Sequence, residues 1–168
     1  MRILRAGIHK GEEALVLGNE RSGMVVFSGC HLSCNFCYTP ETSVEFQGTD
    51  YDAEGFTEVL SRLLSLGARN INLISPTHVW NEIEPILKRF KSGMGKDIPL
   101  VLKFSGFEPV ALIDRFAAVG DVLVPDFKVA SRESAAQVGL PQGYGQVASA
   151  ALKRMLVTHG EDVYEARR

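Results

Sequence analysis

Apolar residues recur along this chain in short bursts separated by longer mixed stretches. MVVFSG (24–29), INLISP (71–76), LVLKFSG (100–106) and DVLVPDFK (121–128) are rich in Val, Ile, Leu and Phe. Each is too short for a typical helix and is expected to be a strand buried on both faces. Between the bursts the period changes. In DAEGFTEVLSRLLSLG (52–67), Phe56, Val59, Leu60 and Leu63 fall at i, i+3, i+4 and i+7, one face of a helix that Asp52 caps and Gly67 ends. EPVALIDRFAAVG (108–120) repeats the scheme with Val110, Ile113, Phe116, Ala117 and then Gly120. GQVASAALKRMLVTHG (145–160) offers Val147, Ala150, Ala151 and Leu156 before Gly160. In HVWNEIEPILKRF (78–90), Pro85 has no backbone N–H, so the helix is expected to kink or to start there. Strand and helix in strict alternation imply βαβ units on a parallel sheet with right-handed crossovers.

The remaining segments are read as connections. Residues 1–23 form an entry segment, with HKGEE (9–13) as an exposed loop. GLPQGYGQ (139–146) resembles a phosphate loop only superficially: no Lys-Ser/Thr follows and no strand precedes, so it is expected to join two helices. Residues 161–168 are a polar tail.

Composition narrows the setting. Hydrophobic residues make up 45% and charged ones 23%, the balance of a globular chain, and 168 residues suit one domain. A net charge of −2 gives no general attraction to nucleic acid or to an anionic membrane. No apolar run approaches the roughly 20 residues that span a bilayer. The start, MRILRAGIHKGEE, lacks the apolar core of a secretory signal, so a cytoplasmic protein is expected.

In parallel sheets, ligands bind at the carboxyl ends of the strands. The chemically notable residues fall there: Cys30 after the first strand, Ser75, Thr77 and His78 after the second, Ser105 after the third, Asp126 and Lys128 at the fourth. All three cysteines of the chain lie within FSGCHLSCNFCYTPETS (27–43), spaced Cys30-x3-Cys34-x2-Cys37. An odd number in a chain expected to be cytoplasmic argues against a disulfide. Zinc needs a fourth ligand, which His31 can offer, but zinc sites usually pair two short ligand clusters. Inert buried thiols fit poorly with polar neighbours such as His31, Ser33 and Asn35. An iron–sulfur cluster with three protein ligands leaves one iron open for chemistry.

This spacing directly after a first strand, with Phe36 just before the last cysteine, resembles the radical S-adenosylmethionine (SAM) superfamily. HKGEEALVLGNERSGMVVFSGCHLSCNFC, INLISPTH, FSGFEP and VLVPDFK are similar to its pyruvate formate-lyase activating enzyme-like branch, over about residues 9–128. The resemblance implies that Cys30, Cys34 and Cys37 hold a 4Fe–4S cluster whose open iron chelates S-adenosyl-L-methionine. Reductive cleavage of SAM would give a 5′-deoxyadenosyl radical that abstracts a hydrogen atom, chemistry carried by the cofactors. It implies Phe36 near the adenine, Lys128 facing the SAM carboxylate, and Asp126 accepting from an amine or holding a cation. It also implies a protein or peptide substrate, as for glycyl-radical enzyme activases, and a reductant such as flavodoxin or ferredoxin. The fold implied is α/β: a partial, truncated TIM-like barrel of parallel βα units.

Departures from that pattern are plain. Most of the superfamily carries a Gly-Gly-Glu-like motif after the second strand; here Ser75-Pro76-Thr77-His78 stands in its place, so hydroxyl, carbonyl and imidazole groups would hold SAM. An acidic residue and a threonine of the activating enzymes' third strand are replaced by Lys103 and Phe104, and the Lys103 ammonium can stand where a cation would bind. Eight βα units take about 250 residues, so the span from Met24 to Arg168 holds about four to five strands. A sheet ending after four parallel strands leaves an unpaired edge that the stretch 146–157 covers only in part, and a second copy or a partner subunit is expected there. The alternative function is a non-catalytic iron–sulfur module or a degenerate radical SAM scaffold.

Overall fold

The structure, a computed structural model, describes residues 1–10, 21–32 and 34–159. Four strands occupy the four apolar bursts: β2 (Arg21–Phe27), β4 (Asn70–Ile74), β5 (Leu100–Phe104) and β6 (Val122–Pro125). They pair parallel, β2 with β4, β4 with β5 and β5 with β6. The sheet has six strands rather than four to five, in the order β3-β1-β2-β4-β5-β6. The two extra strands come from segments with no apolar burst: β1 (Arg2–Lys10), inside the expected entry segment, and the two-residue β3 (Thr49–Asp50). Both pair antiparallel, β1 with β2 and β3 with β1. Of β1 only Ile3 is buried, so its side chains carry almost no hydrophobic pattern while its backbone covers the β2 edge. Strand β6 stands at the other end of the order. The rest of the entry loop (11–13) and the polar tail (161–168) lie outside the described residues.

Between the parallel strands run α2 (Ala53–Ser65), α3 (Trp80–Ser92) and α4 (Val110–Ala117); α1 (Pro40–Ser43), α5 (Arg132–Gln137) and α6 (Tyr144–His159) complete the helices. Asp52 caps α2, its Oδ1 accepting from the Gly55 N–H at 2.8 Å. Helix α3 runs through Pro85 instead of starting there, because a 3₁₀ turn (Thr77–Val79) already leads the chain into it. GLPQGYGQ does link two helices, α5 and α6, although Tyr144 onward belongs to α6.

Alternation along each strand divides the sheet into two faces. Val25 and Phe27, Ile71 and Leu73, and Leu100, Leu102 and Phe104 pack into one core with Phe56 and Leu60 of α2, Trp80 and Leu87 of α3, Phe116 of α4 and Met155 of α6. Met24, Val26, Asn72 and Val101 are buried on the other face. Phe116 meets Trp80 and Phe104 edge-on, with ring centroids 4.5 and 5.0 Å away. The buried face of α6 is Tyr144, Ala148, Ala151 and Met155; of the expected Val147, Ala150, Ala151 and Leu156, only Ala151 lies on it. Leu156 is 57% exposed. Two alanines on that face let α6 approach α4 closely, where Arg154 pairs with Asp114 at 2.5 Å. No described helix is long and apolar enough to cross a membrane.

Phe116→Ala removes the ring on which Trp80 and Phe104 converge and is expected to cost about 3–5 kcal/mol in urea denaturation. Leu156→Ala should stay within about 0.5 kcal/mol of the parent. Comparable losses for the two variants would mean that α6 is rotated from the face described.

Candidate functional site

The carboxyl ends of the four parallel strands open into one cleft of about 220 Å³. Cys30, Cys34, Phe36 and Cys37 line one side; Ser75, Lys103, Ser105, Asp126 and Lys128 arrive from β4, β5 and β6. Thr77 and His78 are not in it. With Cys30, His31, Ser75 and Ser105 they line a much smaller adjoining pocket.

Local geometry explains these placements. After β2 the chain turns at Gly29 with φ of 105°, and a Cβ there would lie 2.7 Å from the His78 Nε2. That nitrogen sits 2.8 Å from the Ser28 carbonyl, which can only accept, so the ring donates and braces the end of β2. Ser75 adopts the left-handed region with φ of 57°, at a cost of about 1–3 kcal/mol, while its N–H donates to the Lys103 carbonyl at 2.9 Å. The cysteine loop is anchored from far along the chain: the Asn35 N–H donates to the Val138 carbonyl at 3.2 Å, and its side-chain amide to the Gln137 carbonyl at 3.1 Å. Leu32 enters a second small core with Ala135, Leu140, Tyr144 and Ala148, against which Cys30 and Cys34 pack.

The three cysteines are free thiols in unlike environments. Burial pushes the thiols of Cys30 and Cys34 above the ordinary value. Burial also works against the Cys37 thiolate, but hydrogen bonds from Ser43, whose Oγ is 3.3 Å from the sulfur, and from Thr39 outweigh it and lower that thiol. The positive charge of Lys128 favours the thiolate at all three. Lys128 itself is opposed by burial, yet the hydrogen bond to Asp126 at 2.9 Å holds its pKa above the ordinary value. Its ammonium lies 6.0 Å from the Phe36 ring centroid. Among the described residues, no three His, Cys, Asp or Glu side chains converge as they would on a single metal ion.

Behind the cleft lies a polar cluster centred on Glu108, which is 0% exposed. Its Oε1 accepts from Thr77 Oγ1 at 2.8 Å and Ser105 Oγ at 2.9 Å. The His31 Nε2 is 3.0 Å from the same serine hydroxyl and 3.6 Å from the Glu108 oxygen. Burial raises the carboxyl pKa of Glu108, against the hydrogen bonds from Thr77 and Ser105, and lowers the imidazole pKa of His31. Thr77 therefore serves Glu108, and the His31 Nε2 is engaged with the Ser105 hydroxyl.

The chain matches no protein-family model and no curated protein.

Sequence pattern singles out neither Glu108 nor Tyr144. A glutamate before Pro109 at a helix start reads as an exposed charge favourable to the helix dipole, and a tyrosine between Gly143 and Gly145 reads as loop. Only the convergence of Thr77, Ser105 and His31 on its carboxyl oxygen reveals the first of them.

A raised carboxyl pKa means that folded chain retains a proton the unfolded chain has already lost. That contribution is full below the unfolded value of about 4.3 and is lost as pH rises through the folded value. Glu108→Gln keeps an acceptor for Thr77 and Ser105 without the charge. Its stability relative to the parent is expected to improve as pH rises from about 4.3 through the folded value, then level off, in urea denaturation. A difference independent of pH would refute the buried-carboxyl account.

Proposed function

We propose that this chain is a radical SAM-type protein, built on a truncated TIM-like barrel, that acts on a protein or peptide partner. One observation carries the reading. The thiols of Cys30-x3-Cys34-x2-Cys37 share a single strand-end cleft with Ser75 and Ser105 hydroxyls and the Asp126–Lys128 pair. The donor set suits an iron–sulfur cluster: three free thiols, one of them inclined to the thiolate by Ser43 and Thr39, all in the field of one lysine. A 4Fe–4S cluster held there by Cys30, Cys34 and Cys37 would supply, with SAM, the reductive cleavage that yields a 5′-deoxyadenosyl radical.

The chain's own part is recognition and shielding. Lys128 offers an ammonium to a carboxylate, with Asp126 fixing its direction. Ser75 and Ser105 offer hydroxyls to an amine or ribose, and Phe36, half exposed at the rim, offers a face to an adenine. Thr77 and His78 act through Glu108 and Ser28 rather than in the cleft. Electrons would come from a small reductant such as flavodoxin or ferredoxin in the cytoplasm, and the β6 edge is where a second copy or a partner subunit would pack.

A second reading is favoured by Thr77 and His78, which turn to Glu108 and the Ser28 carbonyl and so leave the cleft fewer groups to hold SAM. On that reading the chain is a non-catalytic iron–sulfur module or a degenerate scaffold. Formation of 5′-deoxyadenosine by reconstituted, dithionite-reduced protein separates the two.

Anaerobic reconstitution should give about four irons per chain and a brown absorbance. Replacing Cys30, Cys34 and Cys37 together by alanine should abolish it. Stoichiometric zinc without sulfide in anaerobically purified protein sinks the proposal. Lys128→Ala should leave iron content unchanged but weaken SAM binding by about 1.5–3 kcal/mol in calorimetric titration. Equal affinity in parent and variant would remove Lys128 from the carboxylate site.

A further inference from the structure

Tyr144 opens α6 and is completely buried. Its hydroxyl lies 2.7 Å from the Ser105 carbonyl and 2.6 Å from the Asp126 carbonyl, and it accepts the Lys128 N–H at 3.0 Å. A phenol has one proton, so it donates to those two carbonyls in turn or shares the proton between them, while a lone pair takes the amide. The β5–β6 ladder ends at Phe104 opposite Pro125, with the Asp126 N–H reaching the Phe104 carbonyl at 2.8 Å. Just past that point the two strands run into the loops that carry Ser105 and Lys128. The Tyr144 hydroxyl bridges both loops there.

The junction is built for this approach. At Gly106, with φ of 80°, a Cβ would stand 2.5 Å from the Asp126 carbonyl oxygen and 3.3 Å from the Tyr144 hydroxyl. The ring stacks on Phe107 at 5.7 Å and meets Phe127 edge-on at 6.4 Å. It also belongs to the small core on which Cys30 and Cys34 rest. One side chain from the last helix thus touches both walls of the cleft without lining it.

We propose that Tyr144 is a positioning residue: its hydroxyl fixes the backbone of Lys128 and so aims the ammonium into the cysteine cleft. The consequence for SAM rests on the functional reading above; the consequence for the backbone does not.

Tyr144→Phe keeps the stacked rings and removes the bridge. Amide hydrogen exchange should then be at least about 10-fold faster at Lys128, with Val25, Leu73 and Leu102 unchanged. Gly106→Ala forces the same junction apart by a different route and should expose the same amide, so the test survives if one variant fails to fold. Protection of Lys128 retained in either folded variant, or acceleration spread over the core strands, overturns the proposal. In calorimetric titration of the iron–sulfur-loaded protein with SAM, Tyr144→Phe should lose about 5-fold in affinity. Combining it with Lys128→Ala should cost no more than Lys128→Ala alone, since the effect passes through that lysine. Additive losses would mean a general structural role and also overturn it. If the parent itself binds no SAM, the functional reading fails, and the exchange rates still decide the role of Tyr144.

Discussion

Parallel strands cannot be joined by tight turns, so each parallel pair in this sheet is separated by a helix that must cross back over one face. That constraint organises the molecule. It sends β2, β4, β5 and β6 in one direction, covers one face with α2, α3 and α4, and gathers four strand ends at a single margin. Residues spread over about a hundred positions become neighbours there because the hydrogen-bond ladders leave them no alternative. The thiols, Ser75, Ser105 and Lys128 share a cleft for this reason before any interaction between them is considered.

Two devices complete what the ladders begin. At the β2 side, β1 and β3 add backbone partners to an edge that would otherwise be bare, and Arg2 pairs with Asp50 where they meet. At the β6 side no further parallel strand follows among the described residues; instead α5 and α6 fold back under the cysteine loop. The second core is small, but it fastens both ends of that loop's polar segment through Leu32 and Asn35. A loop of this kind needs such fastening, since its conformational freedom is costly to remove.

The electrostatics of the site follow from unequal burial. Glu108 and His31 lie behind the cleft, where desolvation favours neutral groups, and they act as hydrogen-bonding struts. Lys128 keeps its charge because Asp126 accompanies it, and it is the group whose field reaches all three thiols. The Lys128 ammonium, held beside Asp126 at the cleft, is the group there suited to receive an anionic ligand.

Much of this was legible in residue order alone. Continuous apolar runs can only be satisfied by burial on both faces, which located the four parallel strands to within two or three residues. Helical periodicity and the caps at Asp52 and Gly67 did the same for α2, and the cysteine spacing marked the margin where chemistry gathers. Side chains that make their own burial pattern announce themselves. β1 does not, because it serves the sheet through its backbone and buries only Ile3. Residue order leaves the face of α6 open because alanines at 148, 150 and 151 are equally apolar; the main core takes Ala151 and the small second core takes Ala148. Nothing in the hydrophobic pattern marks Glu108 or Tyr144. Their roles arise from groups 31 and 39 positions away, brought within hydrogen-bonding distance only when the sheet and its helices have closed on each other.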